Sequence, residues 1–392
     1  ALCAATALLL RPGLGAGGGP RASRAGVLEQ QGGAGGGSGA VRAAGSGALP
    51  EIRLRLLQRP DKAGAWGLAR RLVGLPAESG EPGLQGMERF FSLAAPGAQV
   101  HSQSRTLYIR VYKSANNSIR CNCLLSPNFA NPALTPETVT FDPRENGTPI
   151  DAWQVWRKFG ITPRKMPDER VSDRKPGGAG GIGLETLDKA FRQHPGHTAF
   201  TFVREPVGHF ISAYTEVEWR MSVDGICLRE HGVRECEAYK NLFQEARGTP
   251  ERFAEFVRLL LKGRLLRVPE IYHTNAQYGL AKALRARPVL LGQLENSDRD
   301  WINLQHQLGF PEAHPYNHEV CPHPTSGDPF NTTSSAKEAL AREPRLLKAL
   351  CAIHLPDFIA FGYDLPPPCQ GDPDIQALGQ ELGELRLPEP AG

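Results

Sequence analysis

The stretch Thr198-Ala-Phe-Thr-Phe-Val-Arg-Glu-Pro-Val-Gly-His-Phe-Ile-Ser-Ala-Tyr214 decides how this chain folds. Phe200-Thr-Phe-Val203 is apolar and β-prone. Arg204-Glu-Pro206 breaks the run. An amphipathic helix follows, with Phe210, Ile211, Ala213 and Tyr214 on its expected inner face. Proline suits the first turn of a helix, where its missing N–H costs nothing. A buried strand that delivers an arginine to a helix N-terminus builds an anion site. Ser212, eight residues beyond Arg204, lies within two helical turns of the same end. The plain alternative is a core strand with an arginine at its rim.

A second strand–loop–helix turns the balance toward phosphate. Thr106-Leu-Tyr-Ile-Arg-Val-Tyr112 reads as a strand. Lys113-Ser-Ala-Asn-Asn-Ser118 follows, then Ile119 and a helix. Small polar residues in such a turn offer N–H groups and hydroxyls to a phosphate, with one lysine as the point charge. The G-x-x-x-x-G-K-[ST] pattern is absent and the lysine precedes the loop, which argues against a nucleotide kinase or triphosphatase. Two such sites suit a ligand with phosphates at both ends.

Together the two segments resemble the nucleotide signatures of the membrane-bound, carbohydrate-type sulfotransferases, which use 3′-phosphoadenosine 5′-phosphosulfate (PAPS). The resemblance implies that Lys113, Ser114, Asn116, Asn117 and Ser118 bind the 5′-phosphosulfate, and that Arg204 and Ser212 bind the 3′-phosphate. It continues downstream. Tyr272-His-Thr-Asn-Ala-Gln277 is similar to a His-x-x-x-Gln segment. Leu291 to Trp301 carries a Glu-x-x-x-x-Asp pattern at Glu295 and Asp300. Asp357-Phe-Ile-Ala-Phe-Gly-Tyr363 is similar to the family's terminal element. The implied fold is α/β, a P-loop-like parallel sheet flanked by helices, behind a disordered N-terminal stem. The chain departs from the family pattern at Tyr112, where proline is usual, at Asn117, and at His209, which occupies the place of a second arginine. If His209 replaces that arginine, phosphate affinity rises at mildly acidic pH.

Lys113 is the expected stabiliser of the leaving phosphate. The resemblance does not choose the base. His273 is the leading candidate, and His194, His197 and Glu137 are the others. His314-Pro-Tyr-Asn-His-Glu-Val-Cys-Pro-His323 has the residues of a metal site, but its three prolines and irregular spacing fit an acceptor-side loop better, so no metal is expected. Glu295 and Asp300 read as structural. The glycines at 177, 178, 180, 181 and 183 follow Asp-Arg-Lys-Pro rather than a strand, which removes the dinucleotide-binding reading.

The chain has 392 residues, enough for one large domain with appendages, and a net charge of +4, far short of a nucleic-acid signature. Residues 1–50 read as a residual signal anchor and a Gly/Ala-rich stem too poor in apolar residues to order itself. Ala1–Leu10 is equally readable as a low-complexity segment. Residues 51–100 read as stem or extension, 101–368 as the sulfotransferase domain and 369–392 as a tail. Further helices are expected over 67–75, 184–193, 251–266, 298–308 and 336–354, and a third core strand over 288–291. Of the eight cysteines, Cys227 and Cys236 suit a disulfide loop and Cys321 and Cys369 suit a bridge. Cys121 and Cys123 read as packed thiols or partners of distant cysteines. Asn146 and Asn331 open glycosylation sequons. Asn116 does too, but a glycan there would block the phosphate loop. The expected setting is the Golgi membrane, with a lumenal enzyme acting on a glycan. The alternative is a non-catalytic nucleotide- or glycan-binding member of the same fold.

Overall fold

A computed structural model of the chain describes residues 62–76, 87–88, 90–91, 97–101, 104–126, 128–129, 144–145, 148–149, 182–222, 224–265, 268–280, 289–318 and 330–382. The expectations for the 1–50 segment, glycines 177–181, Glu137, Asn146 and Cys321 lie outside these residues. Among the described residues no helix is long and apolar enough to cross a membrane.

The strands are β1 (Gly97–His101), β2 (Thr106–Ile109), β3 (Arg144–Glu145), β4 (Thr148–Pro149), β5 (Ile182–Thr186), β6 (Thr198–Val203) and β7 (Val289–Gln293). Five form one sheet in the order β5-β1-β2-β6-β7, and β3 and β4 make a separate two-stranded ribbon. β2, β6 and β7 run parallel, with Leu107 opposite Ala199 and Phe200 opposite Leu290. All four β2 residues are buried, as are five of the six in β6. That is why they read as continuous apolar runs: both faces are covered. β1 is antiparallel to both β2 and β5. The expected parallel sheet is thus the centre of a mixed one. The expected helix over 184–193 divides into β5 and a helix at Leu187–Gln193.

The helix Pro206–Ser222 begins at its proline and buries Phe210, Ile211, Ala213 and Tyr214, as read from the sequence. Phe210 and Tyr214 pack edge-on against Phe253 and Phe256 of the helix Pro250–Leu261. That helix ends short of residue 266, with Gly263 left-handed just beyond it. The expected helix 336–354 is broken in two by Pro344, giving Thr332–Arg342 and Pro344–Ile353. Trp66 and Phe90 from the expected extension, and Ile375, Leu378 and Leu382 from the expected tail, share one core with Phe210. The described residues of both segments thus pack into the domain. Tyr108, Phe129, Phe200, Phe202 and Trp301 form a second aromatic core.

Cys227 and Cys236 are bridged. Cys369 pairs with Cys351 rather than with Cys321, because the short helix Pro367–Gln370 folds back on the helix Pro344–Ile353. Cys121 is disulfide-bonded, to a partner outside the described residues, and Cys123 is a buried free thiol.

Candidate active site

The carboxyl ends of β2, β6 and β7 open into one cleft of about 1260 Å³. Ligands of open α/β sheets bind at this end, where the loops leave the strands. Lys113, Asn116, Asn117, Ser118, Arg204, Ser212 and His273 all line it. Residues up to 160 positions apart in the sequence are therefore neighbours around one space.

The loop after β2 turns sharply. Lys113 and Ala115 both hold left-handed backbone, φ 62° and 50°, a conformation that costs a non-glycine residue about 1–3 kcal/mol and is tolerated where the surroundings fix it. Ala115 opens the helix Asn116–Leu125 without a side-chain cap. The N–H groups of its first turn are therefore not claimed by a capping side chain. Lys113 Nζ lies 3.1 Å from Glu216 Oε2, both nearly buried. Burial lowers the Lys113 pKa, and Glu216 opposes that shift without cancelling it.

Ser114 departs from expectation. Its side chain is fully buried and does not line the cleft; its hydroxyl donates to Gln277 Oε1 at 2.8 Å. The same oxygen accepts the Arg204 N–H at 3.0 Å, while Gln277 Nε2 donates to the Arg204 carbonyl at 2.6 Å. One carboxamide thus clamps both loops. Gln277 is held in turn by Asp357, which accepts its N–H at 3.1 Å, and Asp357 lies 2.7 Å from His354 Nδ1.

Arg204 leaves β6 with its charge disfavoured by burial, partly offset by Glu295 and Glu205. The N-terminus of the Pro206 helix is not the open anion site expected from the sequence. Glu205 folds onto it and accepts the N–H groups of Val207 (3.0 Å) and Gly208 (2.5 Å). Of the residues expected there, Arg204 and Ser212 do line the cleft. A Cβ at position 208 would stand 3.1 Å from Glu205 Oε2 and 3.5 Å from Arg204 Nε, so glycine makes room for both side chains. Glu295 is structural, as read. It accepts the Glu205 N–H and the Tyr363 hydroxyl, each at 2.8 Å. Asp300 accepts the Gln293 N–H at 2.8 Å.

His209 is not a substitute phosphate ligand. It is 1% exposed, and its Nε2 lies 2.9 Å from the Tyr112 carbonyl oxygen, to which only an N–H can bond. Burial, then His354, pushes its pKa well below the ordinary value. It pins the end of the lysine loop as a neutral group.

His273 sits in the turn Pro269–Thr274 with Nε2 3.0 Å from Glu270 Oε2. Burial lowers its pKa and Glu270 opposes. Of the other base candidates, His194 and His197 precede β6. The six residues of that strand set them about 20 Å from its carboxyl end. Neither lines the cleft.

Sequence reasoning missed Glu216, Arg220, Glu230, His231 and Glu270, all on the cleft wall. Helical spacing carried a signal for the first: Gly208, Ser212 and Glu216 recur every four residues and share one face. Arg220 contacts Glu216, Glu230 (2.8 Å) and Glu270 (3.6 Å). Glu230, His231 and Glu270 are the group of described residues whose ligand atoms could hold a metal ion. The Arg220 guanidinium already supplies positive charge to both of those carboxylates.

The profile of the sulfotransferase family matches residues 99–364, and the chain belongs to that family. Comparison with curated proteins and with solved structures returned no match. The family makes sulfuryl transfer the activity class of the domain, and its members generally draw the group from PAPS. The residues present fit such a donor. Lys113 and Arg204 stand at the ends of two different strands on one cleft, and the first turn of the Asn116 helix has no side-chain cap.

Proposed function

We propose that this chain transfers the sulfuryl group of PAPS to a hydroxyl of a glycan acceptor, as a lumenal enzyme of the Golgi membrane. The observation that carries this reading is the Gln277 clamp. It fixes the lysine loop and the arginine loop to each other, so that both face one cleft. PAPS, when bound, supplies an activated sulfuryl group on a 3′,5′-ADP leaving group. Arg204 and Ser212 hold the 3′-phosphate. Lys113, Asn116, Asn117 and Ser118 receive the 5′ end. Lys113 bears the charge that develops on the leaving phosphate, where an oriented cation does most for the rate. Glu216 keeps the ammonium aimed until that charge appears. His273 takes the proton from the acceptor hydroxyl.

Tyr112 and Tyr272, which line the cleft beside several hydrogen-bonding groups, suit a sugar ring. The bridges Cys227–Cys236 and Cys351–Cys369 and the disulfide-bonded Cys121 suit an oxidising compartment. His209, the residue that favoured a non-catalytic binder, serves the fold instead. The test is transfer of label from radiolabelled PAPS to a glycan array. Labelled sugars from the parent, and none from Lys113→Ala, support the proposal. Binding of 3′,5′-ADP with no labelled product on any glycan would leave the non-catalytic reading in its place.

A further inference from the structure

His273 is buried, lines the cleft, and leaves Nδ1 without a hydrogen-bond partner among the described residues. A buried polar atom in that state costs stability and needs an explanation. Its other nitrogen faces Glu270, which is itself gripped from several sides. Oε2 accepts from His273 Nε2 at 3.0 Å and from the Tyr272 hydroxyl at 3.3 Å, Oε1 lies 3.1 Å from His231 Nε2, and Arg220 Nε stands 3.6 Å away. Burial works against the charge on Glu270, but the nearby His231 ring, the hydrogen bond from His273 and the charge of Arg220 overcome it and hold the carboxyl well below the usual range. An ionised carboxylate only accepts, so the proton on His273 must sit on Nε2. Nδ1 is then a lone pair.

We propose that Glu270 is the positioning residue of the transfer step: clasped by His231 and Arg220, it fixes His273 as the Nε2–H tautomer and leaves Nδ1 as the proton acceptor for the incoming hydroxyl. The inference rests on the sulfotransferase reading given above. As the acceptor oxygen bonds to sulfur and the bond from sulfur to the 5′-phosphate oxygen breaks, the hydroxyl proton moves to Nδ1. The imidazolium so formed is balanced by Glu270 and returns its proton to solvent after the sulfated product and 3′,5′-ADP leave. The disulfide Cys227–Cys236 closes the helical hairpin that carries Glu230 and His231 to the cleft. The charged groups acting on His273 are Glu270 on its own turn, Glu216 from the Pro206 helix and Lys113 from the first loop, while Arg220 from the Pro206 helix and His231 from the hairpin stand against Glu270. The rings of Tyr112 and Tyr272 also pack against it.

The experiment reads the tautomer directly. Two-bond ¹H–¹⁵N correlation spectra are recorded on protein labelled at histidine nitrogen, with the His273 signal assigned by its loss in His273→Asn. The parent should show Nε2–H at His273 between pH 6 and 8. In Glu270→Gln the signal should become a tautomer mixture and its protonation midpoint should fall, because the charge favouring imidazolium is gone. Affinity for 3′,5′-ADP should stay within about twofold, since Glu270 is not assigned to the nucleotide, and release of 3′,5′-ADP from PAPS over the pooled glycan array should slow by about a hundredfold. Nδ1–H at His273 in the parent, or an unchanged tautomer and midpoint in Glu270→Gln, overturns the proposal. The parent spectrum decides even if the variant does not fold. Full turnover in His273→Asn would instead remove the base itself. An inactive His273→Asn beside a fully active Glu270→Gln would remove Glu270 alone.

Discussion

Lys113 Nζ rests 3.1 Å from Glu216 Oε2, although 103 residues separate the two in sequence. The pair joins the tip of the lysine loop to the third turn of the Pro206 helix, and both groups are nearly buried. Their attraction offsets a desolvation cost that neither could meet alone.

Replacing Glu216 with Gln should therefore destabilise the fold by about 3–5 kcal/mol, the usual result of removing one partner of a buried pair. A polyanion in the cleft would restore a counter-charge to Lys113. The thermal shift produced by 3′,5′-ADP should then be larger in Glu216→Gln than in the parent. Equal melting temperatures for the two free proteins would show that the pair contributes nothing.

Lys113→Ala should keep the fold, because Arg220 remains beside Glu216. Turnover of PAPS should fall at least about a hundredfold, the scale of losing one oriented charge stabiliser. The measurement is initial rate alongside circular dichroism. Comparable rates for variant and parent would take Lys113 out of the chemistry.

Stability should fall as the pH is lowered from 7.5 to 5.5. Burial holds His209 and His273 below their ordinary pKa, and burial with Arg120 and His197 brings His101 down to about 3. In the unfolded chain each returns to about 6.5. The unfolded state then binds more protons below that pH, and stability rises with pH through this window. The contribution is full above about 6.5 and is lost as the pH falls below it. Glu270, held well below the usual carboxylate range, stays ionised throughout. Urea midpoints at several pH values check this, and His209→Gln should show a shallower dependence. A midpoint that holds or rises on acidification would contradict it. His209→Arg should destabilise rather than tighten nucleotide binding, since it forces a permanent charge into a closed site.

The two strand–loop–helix segments were legible because each is a local pattern: a β-branched or aromatic run, a break, then a helix start. The downstream resemblances gain a physical meaning in the fold. Asp357 holds Gln277, which ties Ser114 to Arg204. Tyr363 holds Glu295, which ties down Glu205. These residues are the braces of the two loops, and local sequence cannot show what they brace. The antiparallel strands β1 and β5 were missed because each is five residues long and lacks an apolar run like that of β6. Glu205 as a cap was also missed. In sequence it stood as the neighbour of a phosphate-binding arginine, and only the fold shows its carboxylate on the helix it precedes. Glu270 and His231 were hidden for a further reason: Glu270 has His273 three residues on along its own turn, but what joins it to His231 and Arg220 is contact between separate elements, beyond the reach of spacing.

One calorimetric comparison tests the reaction most directly: the binding of 3′,5′-ADP and of adenosine 5′-phosphosulfate to the parent and to Arg204→Ala. Arg204 is placed on the 3′-phosphate alone. The parent should bind one 3′,5′-ADP, and the substitution should weaken that binding by about 2–5 kcal/mol, much of it the cost of a phosphate left unpaired. Adenosine 5′-phosphosulfate, which lacks the 3′-phosphate, should bind both proteins nearly alike. Equal losses for the two ligands, or no loss for either, would contradict the placement of the nucleotide and with it the proposed reaction.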